Sequence, residues 1–133
     1  MTNKNIVATM GHADVLSYIE NNINGLDIIF DIDGTLIDLE GVITPLGQMI
    51  ADKDVSVSCA TFGGWGVKDG LLYSASHGKS YPIRVGSVLQ VLDLMKLGYV
   101  GDNASDQMRK DLPTNYLLVD DEIHISRQIL VVA

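Results

Sequence analysis

The chain has 133 residues, 47% of them hydrophobic and 20% charged, with 17 acidic against 9 basic side chains for a formal charge of −8. That length suits one domain, residues 1–133, around one hydrophobic core; the composition argues against a disordered chain, and the negative charge against a nucleic-acid backbone as partner. A single cysteine, Cys59, excludes an intrachain disulfide and a cysteine-based zinc site.

The N-terminal MTNKNIVATMGHADVLSYIENN has no basic stretch followed by an apolar run, so it does not read as a signal peptide. No window approaches the roughly eighteen unbroken apolar residues of a membrane span. The expectation is a protein of a soluble, reducing compartment, the cytoplasm. His12, His77 and His124 lack metal-ligand spacing and read as structural or surface residues.

In chain order, His12, Val15, Leu16, Ile19 and Ile23 recur at helical spacing and predict an amphipathic helix over about 12–23, stopped by Asn24-Gly25. LDIIFDI is the first predicted strand, β-branched and aromatic, after 25 preceding residues. Thr44-Pro45 reads as an N-cap with proline in the first turn, opening a short helix to about Ala51. VSVSCAT, 55–61, is the next strand, and Gly63-Gly64 breaks it. From Trp65 to Tyr81 the chain is punctuated by glycines, with LLYSA as a strand after Asp69-Gly70. VGSVLQVLDLMKL, 85–97, reads as a second, well-buried helix capped by Gly98. YLLVDD and EIHISRQILVV close the chain as strands, the latter with Ile123, Ile125, Ile129 and Val131 alternating on one face.

IIFDIDGTLID, 28–38, resembles the first motif of haloacid dehalogenase-like (HAD) phosphatases and phosphotransferases, an apolar strand running into D-x-D-G-T-L. The resemblance implies that Asp31 is the nucleophile forming an aspartyl-phosphate and Asp33 the general acid and base. Alternate residues at a strand end point the same way, so such a pair can share one cleft. Gly34 and Thr35 would then lie against the substrate, and Thr61, at the next strand tip, would bind its phosphate. VGDNASDQM, 100–108, is similar to the family's G-D-x-x-x-D motif, which implies Mg²⁺ held by Asp31, Asp102 and Asp106, with the Ile32 carbonyl as a further ligand. Lys79 takes the place of the cation that steadies nucleophile and phosphate. Only 17 residues separate Thr61 from Lys79, where the family has a helix and a strand. The resemblance therefore implies a small α/β HAD-like Rossmannoid without a cap domain, a Mg²⁺-dependent phosphatase of a small phosphorylated molecule. Its open cleft would admit a bulky substrate or be closed by a neighbouring subunit.

The same residues support a second reading. With Asp33-Gly34 as a type I′ turn, Ile28, Phe30, Ile32, Ile37 and Leu39 share one face of an antiparallel hairpin and the acids face water. Asp69-Gly70 repeats that style, and Asp120-Asp121-Glu122 becomes a polar turn, with a cation site as its alternative. This predicts an α+β, β-rich fold with antiparallel hairpins and two to three helices. Its function would be a non-catalytic one in a self-associating or larger assembly, such as a virion tail, connector or capsid-decorating subunit.

Overall fold

The computed structural model describes residues 6–22, 27–61, 64–90, 116–123 and 127–132. Along the chain the elements are β1 (Ile6–Gly11), α1 (Val15–Asn22), β2 (Asp27–Asp31), α2 (Pro45–Lys53), β3 (Val57–Thr61), β4 (Trp65–Lys68), β5 (Leu71–Ser74), β6 (Lys79–Gln90), β7 (Tyr116–Asp120) and β8 (Gln128–Val132). The strands form one mixed sheet in the order β1-β8-β7-β2-β3-β6-β5-β4. From β1 to β6 every neighbouring pair is parallel, while β5 and β4 are antiparallel additions. A strand-rich mixed sheet with two helices fits the α+β alternative better than a doubly wound α/β domain.

The central strands are buried on both faces. Ile29 and Phe30 in β2 are both buried, as are Leu117, Leu118 and Val119 in β7. Consecutive apolar residues of this kind are what a covered parallel sheet requires. One core joins Phe30, Leu117 and Val119 to Val15 and Leu16 of α1, Leu46 and Ile50 of α2, and Leu72 and Ile83 of the antiparallel strands. An ion pair between Lys53 and Glu20 links the two helices at the surface.

The helices begin and end for local reasons. Thr44 caps α2, its hydroxyl accepting from the Gly47 amide at 3.1 Å, with Pro45 in the first turn. The helix runs two residues past the expected Ala51 and closes on Asp54 in the left-handed region, φ 56°. The predicted helix 12–23 is a 3-10 turn over His12–Asp14 followed by α1. The strand β1, before it, went unpredicted.

Three expectations are corrected. The Asp33-Gly34 hairpin does not form, because β2 has β7 and β3 beside it, both parallel. Instead the Ile32 carbonyl accepts the amides of Thr35, Leu36 and Ile37 at 3.1, 3.0 and 3.1 Å, folding 32–37 into a compact turn. Residues 85–90, expected to be helical, are the second half of β6; Val85 and Val88 are β-branched and pair along β3, and a short apolar run does not separate helix from strand. Residues 91–97 lie outside the described part. Finally, of the strand expected over EIHISRQILVV the described residues form strand over Gln128–Val132, Ile125 lying outside them; Ile129 and Val131 are buried as predicted, whereas Ile123 is exposed and precedes the strand. The Asp69-Gly70 turn does form, both residues having positive φ, and joins β4 to β5.

Strand β6 serves two partners. Its first half pairs with β5 and its second half, from Val85, with β3. Through Ser74, Trp65 is level with Lys79, while Thr61 is level with Gln90. A straight strand would separate those two levels by roughly 36 Å, yet four residues of chain from Thr61 to Trp65 reach at most about 14 Å. β6 therefore bends, and the register shift at Val57/Ser58, where Gly86 is the extra residue, marks the place. Pro82 sits in the half that β3 does not reach, so its missing amide breaks no bond to that neighbour. The bend turns β4, β5 and the start of β6 into an antiparallel meander standing where a helical crossover would join two parallel strands. No helix among the described residues is long and apolar enough to cross a membrane.

Candidate functional site

β2 and β7 are adjacent and parallel, with Phe30 level with Val119, so Asp31 and Asp120 end the two strands side by side. From β2 the chain moves to β3 on one side, whereas β7 fills the other. Their ends thus flank the place where the winding of the sheet reverses, the crevice in which open parallel sheets bind ligands. Asp31, Asp120 and Asp121 each offer an oxygen there, all within 4.8 Å of one another. The Thr35 hydroxyl donates to Asp31 Oδ2 at 3.0 Å, with Asp121 Oδ1 at 3.4 Å from the same oxygen. The Glu122 amide donates to Asp120 Oδ1 at 3.0 Å.

Electrostatics follow from that crowding. Burial first, then the charges of Asp120 and Asp121, push the Asp31 carboxyl up to about 9. Burial and the neighbouring Asp120 also raise Asp121. Cys59, on β3 opposite Phe30, is pushed up to about 12 by burial and by the Asp31 charge, which leaves its thiol protonated and unreactive. Gly34 makes the close approach possible. Its φ is +88°, and a Cβ there would lie 2.2 Å from Asp121 Oδ2.

Asp33 stands apart from the three. It is exposed, and both its oxygens accept the indole N–H of Trp65, at 3.1 and 3.2 Å. Trp65 lies against Tyr81, ring centroids 5.7 Å apart, and the Tyr81 hydroxyl donates to the Gly41 carbonyl at 2.7 Å. The meander is thereby clamped to the 33–44 loop.

Of the residues expected from sequence, Asp31, Gly34, Thr35 and Thr61 occupy the same edge of the sheet. Thr61 ends β3 one residue beyond the partner of Asp31, and it is buried. Lys79 is in the meander, its Nζ 4.9 Å from the centre of the Tyr81 ring. Asp102 and Asp106 lie outside the described residues. Among the described residues, the carboxylates gathered with Asp31 are Asp120 and Asp121, which the sequence reads as a polar turn with a cation site as its alternative. The Ile32 carbonyl, expected as a metal ligand, is already taken by three amides of its own turn.

Three mutually close carboxylates, of which Asp120 is buried, are an all-oxygen donor set of the kind hard divalent cations take. The residues present fit Mg²⁺. The chain matches no family model, no curated protein and no solved structure.

Proposed function

We propose that the chain is a Mg²⁺-dependent phosphohydrolase of the HAD-like type, without a cap domain, built on a strand-rich mixed sheet in which the meander stands where a crossover helix would be. The observation that carries this reading is the meeting of Asp31, Asp120 and Asp121 at the reversal point of the parallel sheet. It favours catalysis over the assembly role, because a solvated acidic face has no reason to crowd three like charges together. Asp31, Asp120 and Asp121 would hold the ion; Asp102 and Asp106, also expected as ligands, lie outside the described residues. Bound there, Mg²⁺ supplies the positive charge that lets a carboxylate and a phosphate dianion approach each other.

The chain's own residues do the rest. An Asp31 oxygen bonds to phosphorus as the bond to the leaving oxygen breaks, and the Asp33 carboxyl gives that oxygen its proton. A water oxygen then bonds to phosphorus, the bond to Asp31 breaks, and Asp33 takes the water's proton back. An alcohol and inorganic phosphate result. Thr61, at the tip of β3, would bind a phosphoryl oxygen.

The test is hydrolysis of p-nitrophenyl phosphate with and without Mg²⁺, on wild type, Asp31→Asn and Asp121→Asn. Turnover that requires Mg²⁺ and disappears in Asp31→Asn is expected, with metal affinity reduced in Asp121→Asn. Absence of both turnover and a Mg²⁺-dependent thermal shift in wild type rejects the reading.

A further inference from the structure

Asp33 differs from the other acids in how it is held. As an exposed side chain on a turn it would sample several rotamers, yet a general acid must stay within about 2.6–3.2 Å of the oxygen it protonates. Among the described residues its carboxylate is fixed by one donor from another element, the Trp65 indole. That donor is itself immobile. Trp65 is only 9% exposed and lies in the core cluster beside Tyr81, which is anchored on Gly41.

We propose that Trp65 is the positioning residue for Asp33: the forked indole hydrogen bond holds its carboxylate at the mouth of the cleft, facing the leaving oxygen. The inference rests on the phosphohydrolase reading. The geometry suits the task in two ways. An indole N–H can only donate, so it never competes with the carboxylate for a proton. Each carboxylate oxygen has two lone pairs, and the fork occupies one on each. One oxygen can therefore pass its proton to the leaving oxygen while the other keeps the indole bond. The fork also keeps Asp33 out of the group around Asp31, where a fourth acid would add repulsion.

Trp65 is the sole tryptophan, so the idea can be tested at one atom. Two proteins are compared with wild type: Trp65→Phe, and the chain in which tryptophan is replaced biosynthetically by benzothienylalanine, which keeps the bicyclic shape and lacks only the N–H. Each is assayed with Mg²⁺ on an alkyl phosphate, whose departing oxygen needs a proton, and on p-nitrophenyl phosphate, whose leaving group departs as the anion. Measured in the first turnover, before Asp33 is needed to activate water, losing the bond should slow release of the alkyl leaving group by about tenfold or more, with release of nitrophenolate nearly unaffected. Equal losses on both substrates, or none on either, overturn the positioning role while leaving the phosphohydrolase intact. Wild type inactive on both substrates overturns the phosphohydrolase and this proposal with it, before any variant is made. Should Trp65→Phe fail to fold, the benzothienyl protein decides. Apart from turnover, Asp33→Ala must alter the emission of Trp65 in the metal-free protein; unchanged emission also overturns the proposal.

Discussion

Metal-free protein should lose stability as pH rises, and Asp31→Asn should remove most of the loss. The Asp31 carboxyl titrates near 3.8 in an ordinary setting and at about 9 in the fold, where burial, Asp120 and Asp121 oppose its charge. Between those values the folded state holds a proton that the unfolded chain has released, so the unfolded state gains with every rise in pH. The stabilisation is complete below pH about 4 and is lost as pH climbs towards 9. From about pH 5 to pH 8 the shift spans about three units, an upper figure of about 4 kcal/mol at about 1.4 kcal/mol per unit. Asp121 is exposed, so water reaches the group, and halving for screening leaves about 2 kcal/mol. For 133 residues the unfolding entropy is about 0.28 kcal/mol per kelvin, which makes the expected fall in Tm about 7 °C. Differential scanning calorimetry in chelator at the two pH values measures it. His12, whose burial lowers its pKa, works in the opposite sense by favouring the neutral ring in the fold. The decisive quantity is therefore the difference between wild type and Asp31→Asn. The variant should be the more stable protein at pH 8, and Mg²⁺ should raise the Tm of wild type there. A variant that melts in parallel with wild type at both pH values refutes the crowding of charge at this site.

Two substitutions probe the turn that aligns the acids. Gly34→Ala places a methyl group 2.2 Å from Asp121 Oδ2 on a backbone with φ +88°; isothermal titration should show Mg²⁺ affinity down by about tenfold, with the far-ultraviolet circular dichroism retained. Unchanged affinity would separate Asp121 from the ion. Thr44→Ala removes a hydroxyl that reaches the Thr35 carbonyl at 2.6 Å and the Leu36 carbonyl at 3.0 Å and caps α2. It should cost about 2 kcal/mol, read as a lower urea midpoint at constant slope.

What could be read from the sequence depended on how local the determinant was. Thr44-Pro45 specified a helix start because cap and proline act within one turn. Asp69-Gly70 specified a hairpin because both positions accept positive φ. IIFD specified a strand, but whether it continued into a hairpin was decided by β7, whose first residue is 85 positions after the last of β2. The run 85–90 fits either period, and its pairing with β3 settled it as strand. The site was half visible. Asp31, Asp33 and Thr35 came from one contiguous motif, whereas Asp120-Asp121 read first as a polar turn, with a cation site only as its alternative. A signal was present: YLLVDD has the same form as IIFD, an apolar strand ending in acid, and two such strands side by side bring their acids to one edge. Trp65 carried no signal, since its bond to Asp33 exists only because β6 bends.

The acids of the site come from stretches far apart in the chain, Thr35 and Asp121 being 86 positions distant. A nascent chain that has not yet delivered β7 carries Asp31 as an ordinary surface acid, with nothing for an ion to bridge. On the proposed reading, a divalent ion would find these donors together only after the far strand has docked, so its uptake would report that this part of the fold is complete.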